Sequence, residues 1–233
     1  IHTVKPLEVD FPKGRLTVIT GVSGSGKTTM VLESLLPAVH AYKNNEALPQ
    51  HVKSINLNGI QNIKLIDASP IGINVRSTVA TYANVHDLLR KEYAKTSIAK
   101  ELGYKAGDFS YNTGKLRCPI CDGTGTISLD VQFLPDVQIP CPDCHGSRYA
   151  HDAKKITYKG HSLPELMEMD VSDAIEICKD LKTIHQRLNV LNDLGLGYLT
   201  LGEETPSLSG GEAQRLKLAS EMKKGQSDTI FIF

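Results

Sequence analysis

Residues Gly21–Thr28 read GVSGSGKT, and this stretch decides the fold class of the chain. It fits the phosphate-loop pattern G-x-x-x-x-G-K-[ST] at every fixed position. The apolar and β-branched run Arg15–Thr20 before it predicts a buried strand. The run Thr28–Leu36 after it predicts a helix that ends at Pro37. A strand, a glycine-rich loop and a helix in this order are the context that a phosphate-binding motif requires.

The chemistry of this loop follows from its backbone. Glycines let successive N–H groups turn inward around an anion, and the helix N-terminus adds the positive end of its dipole. The motif predicts that Lys27 reaches the β- and γ-phosphates of a nucleotide and that the Thr28 hydroxyl holds Mg²⁺. The plain alternative is a Gly/Ser turn between a strand and a helix. The residues predicted to contact nucleotide are Gly21, Val22, Ser23, Gly24, Ser25, Gly26, Lys27, Thr28 and Thr29.

Length and composition narrow the class of protein. A chain of 233 residues can bury one large core or two small ones. It has 26 basic and 26 acidic residues, so net charge predicts no partner and any nucleic-acid surface has to be local. No apolar run is long enough to span a bilayer, and the N-terminus has no signal-peptide pattern. We therefore expect a cytoplasmic protein without a membrane partner, and the missing initiator Met indicates a fragment.

Four of the five cysteines form two Cys-x-x-Cys pairs that are separated by 19 residues, a spacing that matches a two-knuckle zinc site. Four thiolates fill a tetrahedral shell, so such a site is structural rather than catalytic. Structural disulfides or redox thiols are the alternative, which a cytosolic setting disfavours. Cys178 stands alone in a predicted helix and is expected to be a small buried side chain. The predicted zinc ligands are Cys118, Cys121, Cys141 and Cys144.

The segment 126–139 between the two cysteine pairs predicts a β-hairpin that projects from the zinc base, with Leu134–Asp136 as its turn. Basic residues flank this base. A zinc-anchored hairpin with basic flanks suits contact with nucleic-acid phosphates. An ordinary solvated face explains the same cations equally well. The predicted DNA-contacting residues are Lys115, Arg117, Arg148, Lys154 and Lys155.

The stretch Leu208–Arg215 reads LSGGEAQR and predicts a helix N-terminus. Ser209 as N-cap and Glu212 at the third helical position form a capping box, and exposed N–H groups there favour an anion. The phrase closely resembles the signature motif of ABC-type ATPases. In that family the signature contacts the ATP of the opposite nucleotide-binding unit, which implies the same role here. The residues concerned are Leu208, Ser209, Gly210, Gly211, Glu212, Gln214 and Arg215.

A zinc module between a phosphate loop and a signature is not found in ordinary transporter ATPases. Over nearly its whole length the chain resembles the C-terminal half of the UvrA family of excision-repair ATPases. Further segments that carry the resemblance are Ser69–Gly72, Arg76–Ser77, Ala80–Tyr82, Phe109–Asn112, Phe133–Val137, Arg148–Tyr149, Tyr158–Gly160 and Leu194–Tyr198.

Alternating strands and helices around a phosphate loop predict an α/β fold with a mostly parallel sheet. The resemblance implies that this fold is a P-loop ABC-type ATPase core with an inserted helical signature domain that carries the zinc-binding hairpin. We accordingly divide the chain into three segments. Residues 1–90 would be the nucleotide-binding core, 91–160 an inserted segment with the four-cysteine zinc module, and 161–233 the helical signature region that returns to the core.

The family also implies a function. The chain would be an ATP-binding, DNA-binding fragment of an ATPase that recognises DNA damage in nucleotide excision repair. The full-length protein would be part of the excision nuclease and of the SOS response. Its cofactors would be ATP or ADP, Mg²⁺ and Zn²⁺. Its partners would be double-stranded DNA, the other ATPase half of the same protein, a second full-length copy and a UvrB-like protein.

Some residues depart from the family pattern. Ala68 stands where the family has a Gln that helps to arrange the metal and the attacking water, and Leu116 interrupts a glycine pair. A divergent paralogue that acts in drug resistance fits these changes as well as a repair protein does. The chain ends at Phe233, before the family's Walker B acidic residues. No catalytic residue is therefore predicted within it, and we expect the fragment alone to hydrolyse ATP very poorly.

Two other classes of function remain open. A nucleic-acid-binding module could use nucleotide only as a conformational ligand, which Ala68 favours. A zinc chaperone domain is the third hypothesis, because Cys118–Gly125 also resembles the cysteine-rich repeat of DnaJ. Only two such repeats occur, no J-domain sequence is visible, and the phosphate loop would have no explanation.

Overall fold

The computed structural model of the chain describes residues 2, 4–72, 74–129, 137–222 and 226–233. The chain forms two compact units: unit 1 comprises residues 1–67 and 222–233, and unit 2 comprises residues 68–221. The polypeptide thus leaves unit 1 after Asp67 and comes back to it at Met222. The three functional segments expected from the sequence are a different division and stay a prediction.

Unit 1 contains a two-stranded parallel sheet. Strand β1, Asn62–Leu65, pairs with strand β6, Thr229–Ile232, in the register Ile63 opposite Ile230. The apolar runs at residues 63–67 and 229–233 each predict a strand, and both strands begin and end within two residues of these runs. The two strands are far apart in the sequence. The sequence of either strand alone therefore does not specify that it pairs in parallel with the other.

A helical segment follows the phosphate loop in unit 1. It begins as a π-helical turn over Thr29–Leu35 and continues as helix α1, Leu36–Asn44. The amide of Leu36 bonds to the carbonyl of Val31, five residues back. The buried side chains of this unit include Val39 on α1, Leu57 and Ile63.

Two sequence predictions for unit 1 are wrong. The structure shows no strand over Arg15–Thr20, and Leu16 and Val18 are exposed. A strand needs a neighbour for its backbone hydrogen bonds, and none of the described strands pairs with this segment. The helix also does not end at Pro37, which lies near the start of α1. The widened turn before it accommodates a residue without an N–H group.

Unit 2 is mainly helical. Its helices are α2 Val79–Tyr82, α3 His86–Tyr93, α4 Ser97–Glu101, α5 Leu163–Glu168, α6 Val171–Ile177, α7 Lys182–Asp193 and α8 Gly210–Glu221, with 3₁₀ turns at His151–Lys155 and Thr205–Ser207. Two antiparallel pairs accompany them, β2 Thr126–Leu129 with β3 Val137–Pro140 and β4 Thr157–Tyr158 with β5 His161–Ser162. The mixed helix and strand composition is as predicted, but the described parallel pairing is confined to unit 1. Among these helices, none combines the length and the apolar character that a bilayer crossing needs.

The charged, amphipathic segment Val85–Lys100 predicts one helix, but the structure has two helices there, α3 and α4. The hydroxyl of Thr96 accepts a hydrogen bond from the amide of Ala99 and donates one to the carbonyl of Tyr93, which starts a new helix. Apolar residues at helical spacing over 172–194 predict two helices or one bent helix, and the structure has two, α6 and α7. Gly195 follows α7 with a φ of +72°, a conformation that suits glycine.

Buried aromatic residues organise the core of unit 2. The hydroxyl of Tyr149 lies 2.8 Å from Nε2 of His86 and donates to the carbonyl of Phe109 at 3.0 Å. Burial lowers the pKa of His86 to about 3, so this histidine is neutral at neutral pH. Cys178 is fully buried in the same core, as expected, and burial raises the pKa of its thiol to about 11. The cysteine module and helix α8 pack against this core.

Candidate functional site

Two glycines of the phosphate loop, in unit 1, have left-handed backbone conformations. Gly24 and Gly26 have φ angles of +76° and +92°, which glycine adopts without steric cost. The Nζ atom of Lys27 donates to the carbonyl oxygens of Gly21 and Val22, at 2.8 Å each. The ammonium group is thus folded over the carbonyl rim of its own loop. This places its positive charge at the loop that the sequence motif assigns to phosphate.

The four paired cysteines meet at one point in unit 2. All four are buried, and their Sγ atoms lie within 4.8 Å of one another. Sγ of Cys118 is 3.9 Å from that of Cys141, and Sγ of Cys121 is 3.6 Å from that of Cys144. A regular tetrahedron with Zn–S bonds of about 2.3 Å has sulfur–sulfur edges of about 3.8 Å. A disulfide would require about 2.05 Å, so the four residues are thiols in a metal-sized cage.

Backbone contacts explain how two distant knuckles reach the same point. The amide of Cys141 donates to the carbonyl of Gly125, and the amide of Cys118 donates to the carbonyl of Arg148. Gly123 has a φ of +76°, and a Cβ there would lie 1.7 Å from the carbonyl oxygen of Tyr111. Only glycine allows that approach, so Gly123 is required for the first knuckle to close.

The environment of the thiol differs from one cysteine of the cluster to another. Burial raises the pKa of Cys118. Burial also acts to raise the pKa of Cys141, but hydrogen bonds from the amides of Cys144 and Asp143 outweigh it and lower that pKa overall. The amide of Gly125 also donates to Sγ of Cys121 at 3.3 Å. Amide donors of this kind favour thiolates, the form that binds metal.

The predicted hairpin is present next to the cysteine cluster. Strands β2 and β3 pair antiparallel with Ile127 opposite Ile139, and Ile127 packs against the four cysteines. Leu129 and Val137 face each other at the far end of the ladder and are both exposed. The predicted turn at Leu134–Asp136 lies outside the described residues.

The predicted DNA-contacting cations lie around this base, but most have a carboxylate partner. Lys115 is exposed and lies 4.0 Å from Asp108. Arg117 pairs with Asp122 at 3.0 Å, and Lys155 pairs with Asp152 at 2.7 Å. Lys154 is exposed on the 3₁₀ turn. The local positive charge is therefore smaller than the count of cations indicates.

Arg148 is placed differently from the other four cations, which corrects the sequence prediction of a surface flank. Its side chain is only 6% exposed. The guanidinium donates to Glu204 at 2.7 Å and to the carbonyl of Val75 at 3.0 Å, and it lies 5.3 Å from the ring centroid of Tyr111. These contacts hold the guanidinium group below the protein surface, where it does not face a phosphate group of bound DNA.

Helix α8 begins with the predicted capping box. The amide of Ser209 donates to Oε2 of Glu212 at 2.7 Å, and the amide of Glu212 donates to Oγ of Ser209 at 3.4 Å. The hydroxyl of Tyr198 donates to the other carboxylate oxygen of Glu212. These hydrogen bonds, that from Tyr198 first, lower the pKa of Glu212. Tyr198 lies in the segment Leu194–Tyr198 that resembles the family, but the local sequence indicates no role for it because its partner is 14 residues away.

The N-terminus of α8 lies against the segment that follows β1. A Cβ on Gly210 would lie 3.2 Å from the carbonyl oxygen of Ala68, so this contact favours glycine. The Nζ atom of Lys217 donates to both the carbonyl and the hydroxyl of Ser69, at 2.8 Å each. The residue that departs from the family pattern, Ala68, is thus next to the signature. Lys217 was missed from the sequence because 148 residues separate it from Ser69.

Comparisons with known proteins bear on the whole chain. No family model matches it. UvrABC system protein A of Lactococcus lactis subsp. lactis is 44% identical over 233 residues, which are 99% of this chain and 25% of that protein. The protein of the same name from Clostridium acetobutylicum is 46% identical over 236 residues, with 99% and 25% covered. The chain therefore spans about a quarter of the length of the curated relatives that it matches.

A solved structure agrees with these relatives. The crystal structure of UvrA2 from Deinococcus radiodurans superposes with a TM-score of 0.83 at 39% identity, and the match covers 99% of this chain and 28% of that one. The resemblance found in the motifs is thus confirmed at the level of both sequence and backbone. In sequence and in fold, this chain matches a part of UvrA.

Proposed function

We propose that this chain is the nucleotide- and DNA-contacting part of a UvrA-type ATPase that recognises DNA damage in nucleotide excision repair. The observation that carries the proposal is the similarity, at 43% to 46% identity over 99% of the chain, to proteins named UvrABC system protein A. The cysteine cluster supports it, because the four thiols between the phosphate loop and the signature meet within 4.8 Å.

The cysteine cluster would hold one Zn²⁺ with a structural role. Its sulfur–sulfur distances of 3.6 and 3.9 Å fit a tetrahedral shell of four thiolates. A closed shell leaves no position for water or substrate. The metal would instead fix the base of the β2–β3 hairpin, since Ile127 packs directly on the cluster.

The phosphate loop would hold ATP or ADP. Lys27 would exchange its two carbonyl contacts for phosphate oxygens, and Thr28 would hold Mg²⁺. The loop glycines and Thr29 would line the phosphates. Ser209, Gly210 and Gly211 would present N–H groups and a hydroxyl to the ATP of the other nucleotide-binding half. The capping box supports this role, since it holds Ser209 in one orientation at the start of α8.

Double-stranded DNA would contact the base of the hairpin. Four cations are proposed for phosphate contacts, namely Lys115, Arg117, Lys154 and Lys155. Arg148 is not among them, because its guanidinium is buried against Glu204 and Val75. Such contacts carry no sequence information, as a damage sensor requires. The other ATPase half, a second full-length copy and a UvrB-like protein are the further partners that we propose.

A second candidate function is a DNA-binding module that nucleotide gates without significant hydrolysis. The observation that favours it is Ala68, which has no side-chain amide to arrange a metal or a water. Its carbonyl is nevertheless in close contact with the signature at Gly210. Nucleotide state could therefore still be coupled to this segment.

ATP turnover and DNA binding in the full-length protein would test both candidates. The repair function predicts turnover above that of a Lys27→Ala variant and tighter binding to a lesion-bearing duplex than to an intact one. Tight nucleotide binding with turnover at the level of Lys27→Ala would favour the second candidate. Binding of neither nucleotide nor DNA would exclude both.

A further inference from the structure

Two arginines that are distant in the sequence share one carboxylate at the first cysteine knuckle. Arg76 bonds to the carbonyl of Asp122 at 2.9 Å and to its carboxylate at 3.4 Å. Arg117 bonds to the other oxygen of the same carboxylate at 3.0 Å. Two guanidinium groups and one carboxylate leave a net positive charge at this point.

A polar cleft of about 430 Å³ lies beside these arginines. Its lining residues are Asn74, Arg76, Ser77, Thr81, Tyr82 and Asn112. Arg76 is the charged member of this lining, and none of the six is acidic. Arg117 donates to the carbonyl of Asn112 at 3.1 Å, which brings the second guanidinium to the rim. Hydroxyl and amide groups around a guanidinium suit an oxyanion.

The carboxylate of Asp122 is held weakly enough to be exchanged. Its side chain is 60% exposed, and exposed ion pairs contribute only about 0–1 kcal/mol. A phosphodiester offers the same arrangement of two oxygens and forms bidentate hydrogen bonds with arginine. A phosphate that approached from the cleft could therefore replace the carboxylate at both guanidinium groups.

We propose that this cleft binds a phosphate of the duplex DNA backbone, and that Asp122 is an internal competitor which the phosphate displaces. The inference rests on the proposed DNA-binding function and extends it to Arg76, Asp122 and the cleft. DNA is favoured over a free nucleotide because Arg117 belongs both to this cluster and to the basic flank of the hairpin. The site is therefore continuous with that flank.

A titration of a 30-base-pair duplex of random sequence into the full-length protein, at several salt concentrations, tests this proposal. Arg76→Gln should weaken binding about 8-fold at 0.1 M salt and reduce the slope of log K against log salt by about 0.9, the value of one phosphate contact. Asp122→Asn should strengthen binding, because it removes the competitor while asparagine tolerates the φ of +51° at this position. Lys100→Gln, an exposed cation on α4, is the matched control and should change affinity less than 2-fold.

The possible results distinguish a failure of the cleft as a DNA site from a failure of the proposed DNA-binding function. If Arg76→Gln binds DNA like the wild type while a Lys115→Gln and Lys154→Gln double variant is weakened, the cleft is not a DNA site but the flank is. Equal weakening by Arg76→Gln and Asp122→Asn, with a lower melting temperature in both, would show a structural cluster and overturn the proposal. Loss of ATP binding rather than DNA binding in Arg76→Gln would make the cleft a nucleotide site. A wild-type protein that does not bind the duplex would contradict both the inference and the DNA-binding function.

Discussion

Arg148 and Glu204, which are 56 residues apart in the sequence, form an ion pair at 2.7 Å in which the arginine is almost fully buried. The same guanidinium donates to the carbonyl of Val75. The second cysteine knuckle is thereby joined to the segment before α2 and to the segment before α8. A residue that the sequence places on a basic surface is in fact a structural link within unit 2.

Replacing Arg148 with Met should destabilise unit 2. The change leaves Glu204 without its cation and the carbonyl of Val75 without its donor, which costs about 1–3 kcal/mol because Glu204 is still partly solvated. Chemical denaturation monitored by circular dichroism would measure this. Lys154→Met removes an exposed cation from the same module and is the control. Equal stability of the two variants would contradict the structural role of Arg148.

The cysteine cluster predicts one tightly bound Zn²⁺ per chain. Cys121→Ser should abolish zinc binding and unfold the hairpin module while the phosphate-loop unit still binds nucleotide, because metal binding is coupled to local folding. Metal analysis of protein purified without chelator would test the stoichiometry. Cys178→Ala should retain full zinc, since this thiol is buried in the separate core of unit 2. Zinc content that is unchanged in Cys121→Ser would rule out the proposed ligand set.

The phosphate loop predicts that Lys27→Ala weakens ATP and ADP binding by at least about 10-fold, because a charge-assisted hydrogen bond is worth about 1.5–3 kcal/mol. Isothermal titration calorimetry would measure the change. Lys43→Ala removes a cation from the C-terminal end of α1 and should bind nucleotide like the wild type. The same affinity in both variants would mean that nucleotide binds elsewhere.

The basic flank predicts a salt-dependent, sequence-independent contact with DNA. The double variant Lys115→Gln and Lys154→Gln should lower the slope of log K against log salt by up to about 1.8. Discrimination of a lesion should change less than affinity, because it depends on how easily the duplex deforms. Fluorescence anisotropy with intact and lesion-bearing duplexes would show this. A salt slope equal to that of the wild type would mean that these lysines form an ordinary solvated face.

The capping box of α8 predicts a pH effect on stability. Hydrogen bonds from Tyr198 and Ser209 lower the pKa of Glu212 below its ordinary value of 4.5. Since the folded-state pKa is the lower one, the carboxylate stabilises the fold above about pH 4.5, and this contribution is lost as the pH falls through the folded-state value. Glu212→Gln should therefore melt below the wild type at pH 7, and the two melting temperatures should converge as the pH falls below 4.5 and through the folded-state pKa. A constant difference across this range would contradict the prediction.

Local sequence was enough to predict the elements whose signals lie within a few neighbouring residues. The capping box at Ser209 and Glu212 needs only a serine, a glutamate and the spacing between them. The pairs α6 and α7, and β2 and β3, follow from the period of the apolar residues. The spacing of the four cysteines predicted their convergence, because two Cys-x-x-Cys turns at this separation are the pattern of a single zinc site.

Tertiary structure alone decided the features that join distant parts of the chain. Arg148 looks like a surface cation until Glu204 and Val75 are placed next to it, since burial is a property of packing and not of residue type. Arg15–Thr20 has the composition of a strand, but strand hydrogen bonds must come from another segment. Nothing in the sequence around Arg76 or Asp122 indicates that these two residues are in contact. Charge, composition and local periodicity belong to the sequence, whereas partners, burial and pairing come from the fold that brings remote residues together.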